Sequence, residues 1–188
     1  IPNGKTDTNN AGAFASDFIG GNWDFPHATY EQRERFYQAH LNYHQGLLWF
    51  LQNSPRVPGK VQQAICAYGL AADEFTDTGH WPHQLYVREA RRMTGEVVMT
   101  EHHCRGGRRA EDSVGLAAYG MDSHNTQRYV VDAVARNEGD VQVGVPGPYP
   151  VSYRAIVPRR AEATTLLVPV ALSASQIAYG WMRMERVF

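Results

Sequence analysis

The chain has 188 residues, 43% of them hydrophobic and 20% charged, with a formal net charge of −1. A chain of this length buries roughly 70% of the surface that its unfolded form exposes, so it can build a core of its own. The near-neutral charge leaves neither a nucleic-acid footprint nor a polybasic membrane surface.

The segment 2–14 is rich in Gly, Asn, Asp and Thr, which is loop chemistry, and a second loop covers 20–27. Thr29 and Gln32 then form a capping-box pattern. It predicts a helix over 30–52 with an apolar stripe of Phe36, Tyr43, Leu47, Phe50 and Leu51. Ser54 and Pro55 stop it, and Pro58 opens a second helix with Val61, Ile65 and Tyr68 on one face, ended by Gly69. The two should pack as a helical hairpin, with Cys66 in its core.

From Trp81 the pattern changes. Leu85 and Val87 alternate, 89–96 reads as more helical, and 96–103 reads as a strand. A short helix fits 113–118, and 129–135 alternates ambiguously. The stretch 137–150 holds Gly139, Gly144, Pro146, Gly147, Pro148 and Pro150 and reads as the clearest long loop. A strand is expected over 151–157. The continuous β-type run 166–172 has the character of a buried strand, and 173–184 should turn into a helix. The longest apolar run, 166–171, is too short to span a bilayer. The expected class is α+β: a mixed β-sheet with a helical hairpin insertion. A loop-rich opening and the hairpin take 1–80, and a sheet-containing region takes 81–188. The chain starts without Met or a signal-like segment and stops directly after a helix-like run, so both ends read as cuts through a longer protein.

No GxGxxG and no GxxxxGK[ST] occurs, so these residues lack the glycines that let a backbone approach a pyrophosphate. Among eight histidines, His40 and His44 stand four apart on the first predicted helix and could chelate, with His80, His83, His102 and His103 further on. No HExxH is present and no acidic partner lies at ligand spacing, so a satisfied core histidine is the simpler reading of His40. Cys66 and Cys104 are too few for a disulfide framework. Cys104 carries no nucleophile signature, and GxSxG is absent. Trp23, Trp49, Trp81 and Trp181 could stack on a sugar or a flavin, although packing alone explains most tryptophans. The arginines 88, 91, 92, 105, 108 and 109 are interleaved with acids, as on a salt-bridged surface.

Two places carry chemistry beyond this. Asp122, Ser123, His124 and Asn125 lie together between apolar runs, where an Asp can orient a His as a general base, or where the group caps a turn. Ser173, Ala174 and Ser175 sit at the carboxyl end of the predicted buried strand, where ligands bind in open α/β sheets. An ordinary strand-to-helix turn has the same pattern.

Five strings then carry a resemblance: PNGKTDTNN, GHWPHQLYVREARRMTGEVVMTEH, DSVGLAAYGMDSHN, PYPVSYRAIVPR and LLVPVALSASQIAYGWMRMERVF. In this order they are similar to blocks of the FAD-dependent oxidoreductase family, a largely bacterial family, and they cover nearly the whole chain. The resemblance implies part of an FAD/NAD(P)-binding-type flavoprotein. Family members carry an N-terminal strand-GxGxxG-helix for the ADP part of FAD and a closing helix after the last block. Neither occurs here, which implies an internal fragment, inactive and without FAD by itself, of a protein that carries FAD. Carried over by position, Ser173, Ala174, Ser175, Tyr179 and Gly180 lie near the isoalloxazine, and Arg183 faces the same cleft or holds the closing helix. Arg88 and Arg154 line the substrate side, with His124 as base or orienter. The rival reading pairs Arg88 and Arg154 with Glu89, Glu96 or Glu185 in structural salt bridges. His103 stands where the family pattern has an acidic residue. The implied activity is hydride transfer from a small-molecule substrate to flavin, and the arginines suit a carboxylate or a polyhydroxylated molecule. The alternatives are a metal-dependent hydrolase or lyase using the histidines, and a non-catalytic binding or structural module. No nucleic-acid partner is expected.

Overall fold

The computed structural model describes residues 4–5, 15–85, 93–162, 172–175 and 178. The chain forms two compact units, one of residues 1–87 with 128–136, the other of 88–127 with 137–188. Helices and small antiparallel pairings make the fold α+β.

The first unit is built on α1 (Tyr30–Asn53) and α2 (Gly59–Cys66). The capping box forms as the sequence predicts. Thr29 Oγ1 accepts the Gln32 N–H at 3.3 Å, and Gln32 Oε1 accepts the Thr29 N–H at 2.7 Å, so two donors orphaned at the helix start are satisfied reciprocally. The predicted stripe of Phe36, Tyr43, Leu47, Phe50 and Leu51 is the half-buried face of α1, while Trp49 beside it is exposed. No residue of α1 or α2 is fully buried. The helices contact one another as a hairpin, with Ser54 and Val57 buried at the connection. The Gln62 side chain ties α2 back to this turn, its Nε2 donating to Ser54 O at 2.9 Å.

Two expectations fail here. The second helix ends at Cys66 instead of running to Gly69, and Cys66 is exposed instead of buried. Ala67 leaves the helical hydrogen-bond pattern, so Tyr68 never joins the face of Val61 and Ile65 and is exposed as well.

The second unit contains α3 (Glu101–Cys104), β1 (Ser113–Ala117), β2 (Met121–Ser123), β5 (Val141–Val143) and β6 (Tyr149–Ser152). Between β2 and β5 the chain forms a two-stranded ribbon of β3 (Gln127–Val131) and β4 (Val134–Glu138). β1 pairs antiparallel with β6, placing Ala117 opposite Tyr149 and Ser113 opposite Ser152, and β2 pairs antiparallel with β5. Met99, Met121, Tyr149, Val151, Ile156 and Leu172 are packed in one core.

Several sequence expectations change in this unit. The stretch 113–118 is a strand and not a short helix, because pairing with β6 buries Ala117 while Gly115 weakens any helix there. In 96–103 only Met99 makes a β-bridge, parallel to Ala174. Thr100 then caps α3, so the chain turns helical where a strand was expected. The expected loop 137–150 contains the end of β4, all of β5 and the start of β6. The expected strand 151–157 stops at Ser152 and passes into the 3-10 turn Tyr153–Ala155. Of the predicted buried strand, Leu172 is described and is buried, followed by the equally buried Ser173 and Ala174. The runs 86–92 and 163–171 and most of the expected C-terminal helix lie outside the described residues. Among the described residues no helix is long and apolar enough to cross a membrane.

The β3–β4 ribbon turns through Asp132 and Ala133, with φ of 51° and 59°. A two-residue hairpin turn of matching twist needs left-handed backbone at both positions. Neither residue is glycine, and the left-handed region costs a residue with a Cβ roughly 1–2 kcal/mol. Ala133→Gly is therefore expected to stabilise the protein by about 1 kcal/mol. A raised urea midpoint with an unchanged slope supports this, and an unchanged or lowered midpoint contradicts it.

Candidate functional site

The extended segment 172–175 is held from two directions. Met99 N–H donates to Ser173 O at 2.9 Å and Ser175 N–H donates to Met99 O at 2.8 Å. Ser173 N–H donates to Ala155 O at 2.8 Å. Ala155 closes the 3-10 turn that carries Arg154. The fold thus brings the Arg154 turn against Ser173, Ala174 and Ser175, residues separated widely in sequence.

Gly95 completes this junction. Its N–H donates to Ser173 Oγ at 2.9 Å. A Cβ on Gly95 would lie 2.5 Å from the Arg154 carbonyl oxygen and 3.2 Å from Ser173 Cβ, so only glycine fits. The three small residues of the segment consequently differ in availability. The Ser173 hydroxyl accepts from Gly95, whereas Ser175 Oγ is buried and has no partner among the described residues.

Arg154 is anchored on Asp112. Its Nε and its backbone N–H both donate to Asp112 Oδ2, at 2.9 and 3.0 Å. Ser152 Oγ, itself buried, lies 2.8 and 2.9 Å from the two carboxylate oxygens, and Tyr153 N–H donates to Asp112 O. The Arg154 guanidinium, helped by the backbone and Ser152 donors and opposed by partial burial, holds the Asp112 carboxyl well below the usual carboxylate range. The same pairing raises Arg154, and the charges of Glu96 and Glu111 add at longer range. Among the described residues the ion-pair partner of Arg154 is Asp112, with Glu96 acting only at longer range, while Glu89 and Glu185 lie outside the described residues. The Arg154 side chain stays about half exposed, at 48%, and among the described residues it is held through Nε and the backbone N–H.

His124 follows β2 directly and is half-buried between the buried Ser123 and Asn125. Ser123 Oγ donates to Gly139 O at 2.6 Å, which fixes the strand end before the imidazole. Arg88, Tyr179, Gly180 and Arg183 lie outside the described residues.

The remaining histidines and cysteines have local explanations. His40 Nδ1 stands 2.8 Å from Phe36 O, and the His44 ring nitrogens stand 2.7 Å from His40 O and 2.8 Å from Ser16 O. Among the described residues no group of three or more His, Cys, Asp or Glu side chains could hold a metal ion. His103 is buried and its Nδ1 accepts the Thr100 N–H at 3.0 Å, which closes the capping box of α3. An acidic side chain at this position could offer the same acceptor. Burial and then the Arg108 charge push the His103 imidazole down. Cys104 is buried beside Tyr149, and burial pushes its thiol up and away from thiolate chemistry.

Sequence reasoning missed Gly95 and Asp112. An isolated glycine between two patterned runs signals a close backbone approach, and Gly95 has that setting. Nothing local marks Asp112, because its partners lie forty residues further on.

A family model described as FAD dependent oxidoreductase matches residues 1–188. No curated protein and no solved structure matches the chain.

Asp112 makes stability depend on pH in a defined direction. Its native carboxyl lies below its unfolded value, so the stability it contributes is complete above the ordinary carboxylate value near 4 and is lost as pH falls toward the lower native value. Asp112→Asn should be destabilised by roughly 1–3 kcal/mol at neutral pH, through loss of the charged acceptor. Its urea midpoint should also fall less steeply than that of the wild type below about pH 4. Parallel curves in acid would remove Asp112 as the source of the acid limb.

Proposed function

The chain belongs to the FAD-dependent oxidoreductase family, and on that premise we propose that it forms the substrate side and the flavin-contacting end of an enzyme that transfers a hydride from a small-molecule substrate to FAD. The observation that carries this reading is the junction of the Arg154 turn with the Ser173–Ala174–Ser175 segment through Ala155 O and Ser173 N–H. It joins the turn that carries the proposed substrate-side cation to the proposed cofactor edge through the backbone. The residues present fit the cofactor: a buried hydroxyl without a partner costs about 1–3 kcal/mol, and the polar edge of a flavin would satisfy Ser175 Oγ, which has none among the described residues.

Bound FAD supplies the hydride acceptor, and the protein supplies position and charge. Ser173, Ala174, Ser175, Tyr179, Gly180 and Arg183 are the proposed cofactor contacts, Ser175 through its hydroxyl. Arg154, held at Nε by Asp112, keeps its terminal nitrogens for an anionic or hydroxylated substrate, with Arg88 as the second cation. His124 takes the substrate's hydroxyl or amine proton as the hydride leaves carbon, so the substrate gains a double bond to oxygen or nitrogen without developing full charge. The absence of a glycine fingerprint within these residues gives the phosphates of FAD no strand-turn-helix site here.

Two measurements test this. In the FAD-loaded protein, His124→Gln should slow substrate-driven flavin reduction by roughly 10²–10⁴-fold and leave flavin content unchanged; an unaltered rate would take His124 out of the proton-transfer role. Titrated alone with FAD and followed by flavin fluorescence, the 188-residue chain should bind more weakly than micromolar. Micromolar or tighter binding would mean that these residues also hold the phosphates.

A further inference from the structure

We infer that Gly95 and Ser173 are a positioning pair that sets the spacing between Arg154 and the Ser173–Ala174–Ser175 segment, and hence between the substrate-side cation and the flavin. The inference rests on the flavin reading above and deepens it: the Ser173 hydroxyl, engaged by Gly95 N–H, acts through the placement of Arg154, whatever contact the segment itself makes with the cofactor.

Four contacts meet at this point. Gly95 N–H donates to Ser173 Oγ, which fixes the loop before Met99 to the segment. The missing Cβ of Gly95 lets the Arg154 carbonyl approach closely, and any side chain would push the turn or the segment away. Ser173 N–H donates to Ala155 O, the residue after Arg154. Arg159 Nε, 3.4 Å from Gly95 O, braces the same loop from the chain that follows the turn.

Burial makes the arrangement stiff. Ser173 and Ala155 are both 0% exposed, so water cannot replace a lost bond, and each buried polar group depends on this one set of partners. On the other side Asp112 fixes the Arg154 backbone N–H and Nε. The arginine is therefore clamped between Asp112 and the Gly95–Ser173 pair. A shift at Ser173 moves the Ala155 carbonyl, and with it the turn from which the guanidinium projects.

A pair that only supported the core would affect stability alone. A positioning pair also changes the field at the cofactor, because a cation held near a flavin raises its reduction potential and a displaced cation raises it less. The experiment uses the FAD-loaded protein and four variants: Ser173→Ala, Gly95→Ala, Arg154→Gln, and Ser173→Ala combined with Arg154→Gln. Each is examined for thermal midpoint, flavin absorption spectrum and reduction potential. Ser173→Ala and Arg154→Gln should each lower the potential. In the double variant the potential should fall no further than in Arg154→Gln alone, because Ser173 acts through the arginine. Gly95→Ala should shift the potential in the same direction as Ser173→Ala. If the Gly95 variant fails to fold, Ser173→Ala, which adds no atoms, decides the question. A lowered thermal midpoint with an unshifted potential in Ser173→Ala overturns the pair and leaves the flavin reading standing. A shift that persists undiminished in the Arg154→Gln background also overturns it. If the intact FAD-dependent protein, as distinct from the isolated 188-residue chain, neither carries nor binds FAD, the flavin reading and this inference fall together.

Discussion

One carboxylate organises the bend that follows β6. The β1–β6 register sets Ser113 opposite Ser152, which brings Asp112 over the end of β6. There it meets the Ser152 hydroxyl, the Arg154 backbone N–H and the Arg154 Nε. A chain leaving a strand for a 3-10 turn loses its ladder partners, and in a buried setting those groups need substitutes. Asp112 supplies them. The turn in turn presents Ala155 O to Ser173, and Ser173 O and Ser175 N–H engage Met99. The geometry of the candidate site thus descends from one carboxylate shared by the buried Ser152 hydroxyl and the half-exposed Arg154, and from the strand register that assembles it.

What could be read from the sequence is what local chemistry determines. The start of α1 follows from Thr29 and Gln32, which satisfy each other within one helical turn, and its half-buried face follows from helical periodicity. Leu172, the last residue of the β-type run, is buried as its apolar character suggested, and 166–171 lie outside the described residues. What could not be read depends on partners distant in sequence. β2 and β5 are three residues each and acquire strand character only by pairing with one another. Gly139, Gly144 and Gly147 punctuate the chain around β5, so the local signal is that of a loop. β1 carries Gly115 and looks indifferent until Tyr149 and Val151 cover it. The cap of α3 escaped notice because His103 provides the acceptor that Glu or Gln usually provides. At the candidate site the same division holds. Ser173, Ala174 and Ser175 were visible as small residues at a strand end, and Arg154 as a cation in a resembling block. Of the two residues that determine how those meet, Gly95 carries only the general signal of an isolated glycine, and Asp112 has meaning only in three dimensions.

The two units use different means of stabilisation. The second has a core of fully buried methionine, leucine, valine and tyrosine side chains. In the first, no helical residue is fully buried, and the contacts are stacked or edge-on rings with specific polar ties. Phe18 lies flat on Tyr43 at 4.6 Å and edge-on to His40 at 5.0 Å, while Tyr43 Oη donates to Ala15 O. The Arg33 guanidinium stands 5.0 Å from the Phe25 ring centre. Such contacts are directional and individually modest. A unit held this way opens at lower free energy than one held by a closed apolar core.

The two cysteines show a consequence of this difference. Cys104 sits inside the second unit with its thiol pushed toward the neutral form, whereas Cys66 stands exposed at the end of α2 in the first. To a soluble alkylating reagent the folded chain therefore presents a single addressable sulfur. A fluorophore or spin label placed on it would report from the helical hairpin and leave the packed interior beside Tyr149 untouched.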